Sequence, residues 1–206
     1  MPTLKRRYTG DMLRGAQKYM RGRALDVGAG TAKYAEMIKK NVSEYVTTDF
    51  EKGDAIDVVA DCRKLPFEDE SFDTVICMQV LEHVEHAWFA GKEMERVLKK
   101  GGHAIVTVPF LVGHHADPQD FYRYTPQGLA SLFPNMEVIE ARGYGGIFMI
   151  LEEMFKFCFC NPYTNKKPGF VRRNLMRVVQ RICIFLDAFS PFSNTLYCAS
   201  FLIAKK

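Results

Sequence analysis

The chain has 206 residues, 48% of them hydrophobic and 25% charged, which is enough to bury one good core and short for two. No apolar run reaches the ~18 uncharged residues of a membrane span, because Glu152, Glu153 and Lys156 interrupt the most hydrophobic stretch. The net charge of +4 divides unevenly: residues 156–206 hold nine Lys/Arg against Asp187 alone, and the rest holds 19 basic and 23 acidic residues, so the C-terminal part either meets something anionic or presents a solvated basic helix face.

A single domain over 1–206 is therefore expected. The segment Met1 to Arg7 lacks the apolar core and small-residue cleavage site of a secretory signal. The six cysteines, Cys62, Cys77, Cys158, Cys160, Cys183 and Cys198, form no CxxC pair and no Cys/His array with zinc spacing. Reduced thiols and a cytoplasmic location, peripheral to a membrane at most, are the corresponding expectations.

Residues 1–22 read as an N-terminal helical cap, and short apolar runs then alternate with helical patterns, as in βαβ units that build a mostly parallel sheet. A first strand over 24–27 breaks at Gly28-Ala29-Gly30-Thr31 into a helix from Ala32 to Lys40. A second strand over 45–48 ends at Asp49 and a third run over 56–60 ends at Asp61, so each strand delivers a carboxylate to its C-terminal edge. A fourth strand, Phe72 to Met78, leads into a helix from about Val80 to Lys100, which Gly101-Gly102 should cap before a fifth strand, His103 to Val108.

In an open, doubly wound α/β sheet the ligand sits beyond the carboxyl ends of the strands, where strand order reverses. Gly28 to Thr31, Asp49, Asp61, Met78 and Gln79 should converge there. Glycines at such a turn let the backbone approach a ligand at a helix N-terminus. Lys33 stands where a dinucleotide site prefers its third glycine, which counts against NAD or FAD, and Asp49 would repel the 2′-phosphate of NADP while accepting from both hydroxyls of a ribose.

These segments resemble the class I S-adenosylmethionine-dependent methyltransferases, in particular the type 11 methyltransferase domain family. Leu25-Asp26-Val27-Gly28-Ala29-Gly30-Thr31 is similar to that family's first motif, Phe72 to Ile76 with Val80 to Val84 to its fourth, and Leu98-Lys99-Lys100-Gly101-Gly102 to its helix-to-strand turn, with Lys100 where proline is common. The resemblance covers roughly residues 23–110. It implies a seven-stranded Rossmann-like sheet and S-adenosylmethionine as cofactor, held by Asp26, Gly28, Ala29, Gly30, Asp49 as ribose acid, Phe50, the Asp61-Cys62 pair beside the adenine, and Met78 and Gln79.

Residues 111–135 then read as an acceptor-side lid. The segment Gly113 to Pro126 is dense in polar and aromatic groups, and a branch of the same family carries a similar His…Asp-Phe-Tyr-Arg-Tyr-Thr-Pro stretch followed by a helix, here Gln127 to Phe133. His115 or His114 is the candidate general base, with His83 a third candidate facing the methyl group. Asp120 would orient the base or Arg123, and Tyr122 and Tyr124 would line the acceptor face. The competing reading makes Asp120 and Arg123 a structural ion pair and Thr125 a helix cap with the tyrosines packed on it. No metal is expected: Glu82, His83 and His86 lack the two histidines four apart by which a helix chelates zinc.

Strands over 137–140 and 196–204 fit the antiparallel closing pair of this sheet, and 145–190 reads as a helical insertion between them. Ile147 to Cys160 is almost continuously apolar, and Phe170 to Phe189 sets Arg173, Arg177 and Arg181 on one stripe against Val171, Leu175, Val178, Val179, Ile182 and Leu186. The insertion either covers the active site, forms a homodimer contact, or holds a lipid-linked acceptor near an anionic bilayer. A small-molecule, sugar or lipid-linked acceptor is expected. The rivals are a nucleic-acid methyltransferase, disfavoured because no Pro-Pro-Tyr-type element or RNA module is present, and a non-catalytic S-adenosylmethionine-binding scaffold.

Overall fold

The computed structural model describes residues 9–115, 118–160, 169–189 and 195–206. Parts of the expected N-terminal cap (1–8), lid (116–117) and insertion (161–168 and 190) lie outside the described residues. Seven strands, β1 (Arg23–Val27), β2 (Glu44–Asp49), β3 (Val58–Val59), β4 (Phe72–Met78), β5 (Leu98–Pro109), β6 (Glu137–Tyr144) and β7 (Ala199–Lys205), form one sheet in the order β3-β2-β1-β4-β5-β7-β6. β1 to β5 pair in parallel, and β7 runs antiparallel to both β5 and β6. Six helices flank or extend it: α1 (Thr9–Ala16), α2 (Ala35–Lys39), α3 (Ala87–Val97), α4 (Pro126–Ala130), α5 (Ile147–Cys160) and α6 (Phe170–Phe189).

Alternation along the central strands explains why both faces need helices. Successive side chains point to opposite faces, and here both sets are apolar. Leu25, Val75, Cys77, Ala104, Val106 and Leu202 pack on one side with Ala87, Ala90, Met94 and Val97 of α3, while Ala24, Ile76, Ile105, Phe201 and Ile203 pack on the other with Met12, Leu13 and Ala16 of α1. This is the doubly wound architecture expected above, and strand order reverses between β1 and β4.

The structure corrects three local expectations. The helix placed over Val80 to Lys100 is broken: a 3₁₀ turn, Leu81–His83, follows β4, and α3 starts only at Ala87. Its far end is strand, because Leu98 already pairs with Phe72. Gly101-Gly102 therefore do not cap a helix but sit inside β5, where the register shifts; Gly101 takes φ +78°, and a Cβ on Gly102 would stand 3.0 Å from the Asp73 carbonyl oxygen. The helix expected from Ala32 begins at Ala35, since Ala32 itself adopts φ +49° in the preceding turn. The third run keeps only Val58 and Val59 as strand.

Between β6 and β7 the described residues form the two helices α5 and α6. α5 and α6 pack against each other and are joined by Gln180 Nε2 donating to Glu152 Oε1 at 3.1 Å. Lys156 pairs with the same carboxylate at 2.9 Å. Outside that seam the two helices leave large apolar side chains in solvent, among them Met154, Phe159, Phe170, Val171, Val178 and Phe185.

Candidate functional site

At the reversal of strand order, a cavity of about 330 Å³ is lined by Thr9, Asp26, Gly28, Ala29, Lys33, Tyr34, Met78 and Gln79. Two strand ends build it. Beyond β1, Gly28 takes φ +70° and Gly30 φ +55°, while the Gly28 and Ala29 amides donate to the Thr48 carbonyl at 2.8 and 2.9 Å, which ties the turn to β2. Beyond β4, Gln79 is held at φ +60°, a region residues with a Cβ use sparingly. Its amide donates to the Thr107 carbonyl at 2.8 Å and its side-chain amide to Thr107 Oγ1 at 3.0 Å, which fixes that conformation at the cavity wall.

Two carboxylates flank the glycine turn. Asp26 is buried and accepts a hydrogen bond from the Tyr45 hydroxyl at 2.5 Å. Burial pushes its carboxyl up to about 6, partly offset by the Tyr45 bond and reinforced by the neighbouring Asp49 charge. Asp49, at the end of β2, accepts from the Gly30 amide at 2.8 Å and from the Glu51 amide at 3.2 Å. The next side chain, Phe50, is 70% exposed, an open ring face beside that acid. Of the expected cofactor residues, Gly30, Asp49, Phe50, Asp61 and Cys62 lie off the cavity wall: Asp61 is clamped by Arg63 at 2.7 Å, which holds its carboxyl below the usual range, and burial pushes the Cys62 thiol up to about 12. Thr9, Lys33 and Tyr34 at the wall were absent from the expected set. Thr9 arrives with α1 and is fixed by a 3.0 Å contact between its Oγ1 and the Tyr144 hydroxyl, a tertiary placement without local signature.

A second constellation forms where residues 118–125 return to the 3₁₀ turn. The Phe121 and Tyr122 amides donate to the Glu82 carbonyl at 2.8 and 3.3 Å, and the Tyr122 hydroxyl donates to the Glu85 carbonyl at 2.7 Å. This docking brings His115 beside His83, with ring centroids 5.1 Å apart, and both beside Glu82. Glu82 is fully buried, and among the described residues neither carboxylate oxygen has a hydrogen-bond partner. Burial pushes its carboxyl up to about 8. An unsatisfied buried polar group costs roughly 1–3 kcal/mol, more when charged.

Asp120 receives the His115 amide at 2.9 Å and is gripped by both Arg123 terminal nitrogens, one at 2.7 Å; this pairing holds its carboxyl well below the usual range. Thr125 caps α4, its Oγ1 accepting from the Gly128 amide at 3.1 Å. The ion pair and the cap of the structural reading are thus both present, and Asp120 also holds the His115 backbone. His114 is exposed and His86 packs at a tilt against Trp88, and neither joins the Glu82 group. None of His83, His115, Tyr122 and Tyr124 lines the 330 Å³ cavity.

Residues 25–106 match a family model described as a methyltransferase domain. Among curated proteins, the chain is 39% identical over 93 residues to a demethylmenaquinone methyltransferase from Corynebacterium glutamicum, covering 41% of this chain and 40% of that protein. It spans less than half the length of the curated relatives it matches first. Among solved structures it resembles an S-adenosylmethionine-dependent methyltransferase from Archaeoglobus fulgidus, with a TM-score of 0.61 and 18% identity over 94% of this chain and 91% of that one. It also resembles the 4+2 cyclase SpnF, at 0.61 and 19% over 95% and 79%. Likeness at this identity shows a shared fold, which hosts more than one chemistry.

Proposed function

From a chain whose residues 25–106 match the methyltransferase-domain family and whose sheet has the class I methyltransferase order, we propose an S-adenosylmethionine-dependent methyltransferase. The observation that carries this reading is Asp26 on the wall of the β1/β4 cavity, with Asp49 beyond that wall but close enough to act on the Asp26 charge, the two acids flanking the Gly28-Ala29-Gly30 turn. A buried anion at Asp26 suits an ammonium, the Asp49 oxygens suit a ribose diol, the glycines permit close approach, and the exposed Phe50 ring offers a face for the adenine. When bound, S-adenosylmethionine supplies an electrophilic methyl carbon on a sulfonium that departs as a neutral thioether. The protein's task is then positioning and exclusion of water, which in favourable cases lowers a barrier by ~7–11 kcal/mol.

Asp26 makes this reading sensitive to pH. Only its ionised form would hold the ammonium, so with a carboxyl near 6 the apparent affinity should fall roughly tenfold from pH 7 to pH 5. Calorimetric Kd values across that range check this, and the slope should vanish in Asp26→Asn. In the unliganded protein the sign reverses. The folded state binds this proton more tightly than the unfolded chain, so that contribution to stability declines as pH rises from 3.8 to about 6.

For the acceptor, the reading favours a lipid-linked or otherwise apolar molecule met at an anionic surface. α6 carries Arg172, Arg173, Arg177 and Arg181 beside solvent-exposed Phe170, Val171, Leu175, Val178 and Phe185. No helix among the described residues is long and apolar enough to cross a membrane, so the contact proposed is peripheral. Each Arg near an anionic bilayer contributes about 1 kcal/mol. Replacing Arg173, Arg177 and Arg181 together by Ala should therefore weaken flotation with phosphatidylserine-containing vesicles by about 10²-fold, in a salt-dependent way.

Transfer of label from methyl-labelled S-adenosylmethionine into fractionated cell extract tests the function. Label in the lipid fraction is expected. Label in nucleic acid would replace the acceptor assignment, and no label in any fraction despite cofactor binding would favour a non-catalytic scaffold.

A further inference from the structure

The Glu82, His83 and His115 side chains form a constellation that the cofactor cavity does not use. One carboxylate oxygen and two ring nitrogens lie within 4.8 Å of one another, from residues 32 positions apart in sequence. Glu82 Oε1 stands 3.6 Å from His83 Nε2 and 4.0 Å from His115 Nε2, too far for hydrogen bonds.

The outward-facing nitrogens each meet an acceptor, which favours one tautomer. His83 Nδ1 lies 2.5 Å from the Gln119 carbonyl oxygen, which can only accept, so Nδ1 carries the proton and Nε2 the lone pair. His115 Nδ1 lies 3.1 Å from the Gly113 carbonyl oxygen and 3.7 Å from Asp120 Oδ2, two acceptors that place its proton on Nδ1 as well. In neutral imidazoles both Nε2 lone pairs then turn toward a buried carboxylate whose two oxygens have no hydrogen-bond partner among the described residues. Among the described residues, three potential ligand atoms thus converge, one of them on a buried side chain. A metal-bound histidine ordinarily donates its other ring N–H to a backbone carbonyl or carboxylate, and both rings do so here.

We propose that Glu82, His83 and His115 bind a divalent transition-metal ion of the zinc type, in a three-ligand site with a coordination position left open. Tetrahedral zinc with ligands at ~2.0–2.1 Å sets them about 3.3 Å apart, so the Glu82 pairs at 3.6 and 4.0 Å and the histidine pair, within 4.8 Å, would close onto an ion by side-chain rotation. Two histidines with one glutamate is a donor set of catalytic rather than closed structural zinc. The expectation of no metal rested on histidine spacing along one helix. That spacing does not bear on this cluster, whose second imidazole comes from the segment after β5, while His86 turns away to Trp88. The open position would take an oxygen of the acceptor and lower the pKa of a bound hydroxyl. That last clause rests on the methyl-transfer reading; the binding site itself does not. His115 is then a ligand rather than the general base.

The test uses the full chain, with any affinity tag removed, and zinc and cobalt(II) as probes. Plasma mass spectrometry of protein purified without chelator should find close to one metal ion per chain. Competition titration should show Glu82→Gln, His83→Ala and His115→Ala each weakening zinc binding at least 100-fold, with His86→Ala unchanged. Cobalt(II) should give a visible absorption band that His115→Ala removes, a readout that stands even if Glu82→Gln fails to fold. Substoichiometric metal with no saturable zinc binding, or equal loss in His86→Ala, would overturn the proposal. S-adenosylmethionine affinity, measured in parallel, keeps this failure distinct from failure of the methyltransferase reading.

Discussion

Gly28→Ala is expected to weaken S-adenosylmethionine binding at least 100-fold and to lower stability as well. A Cβ at this position would stand 2.3 Å from Val80 Cγ2, 2.9 Å from Cγ1 and 3.2 Å from Cβ, so rotation of one methyl cannot relieve the clash. Val80 is β-branched and stiff, and it leads directly into the Leu81–His83 turn. Displacing it would move the cavity wall and the Glu82 group together. The φ of +70° adds about 1–2 kcal/mol of backbone strain for any residue with a Cβ. The double variant Gly28→Ala with Val80→Ala separates the two causes: the steric part should return and the backbone part should not. Full loss in the double variant would show that Val80 is not the obstacle.

The second large effect is expected at Asp49, which stands at the end of β2 with little around it to collapse. Asp49→Ala should weaken cofactor binding by about 10²–10⁴-fold while changing stability far less. Two hydrogen bonds from ribose hydroxyls to a carboxylate contribute roughly 1.5–3 kcal/mol each, and tenfold in Kd is about 1.4 kcal/mol. Some of that loss would come through Gly30, whose amide donates to Asp49 Oδ2 and would be left to solvent. Asp49→Asn should sit between, since one oxygen still receives Gly30 while the amide nitrogen meets the ribose as a donor. Comparing adenosine with 2′-deoxyadenosine as competitors checks the role: the wild type should discriminate and Asp49→Ala should not.

The cofactor half of the molecule could be read from the chain because its information is local. Leu25 and Ala24, or Val75 and Ile76, are neighbours sent to opposite faces, and continuous apolar runs of that kind mark strands buried on both sides. The glycine turn and the acids at strand ends follow from the same segments, and topology brings Gly28, Ala29, Met78 and Gln79 to one cavity, whereas Gly30, Thr31, Asp49 and Asp61, expected to converge there, lie off its wall. The bounds of β4, Phe72 to Met78, agree with the expected strand. Where long-range contacts decide, the reading was incomplete. Periodicity carried a helix through Val84 to His86, but capture of the Phe121 and Tyr122 amides by the Glu82 carbonyl uses an acceptor that a continuous helix would have kept for itself. Convergence of His115 on Glu82 depends on that capture. Thr9 reaches the cavity because α1 buries Met12, Leu13 and Ala16 against the sheet, a packing choice with no motif.

Titration of cofactor-stripped protein with S-adenosylmethionine and with S-adenosylhomocysteine, by calorimetry at two temperatures, bears most directly on the cradle formed by Asp26, Asp49 and the glycine turn. Saturable one-to-one binding of both ligands is expected, weakened in Asp49→Ala and in Gly28→Ala. Absence of binding heat for both ligands at both temperatures, in protein shown to be folded, would contradict it.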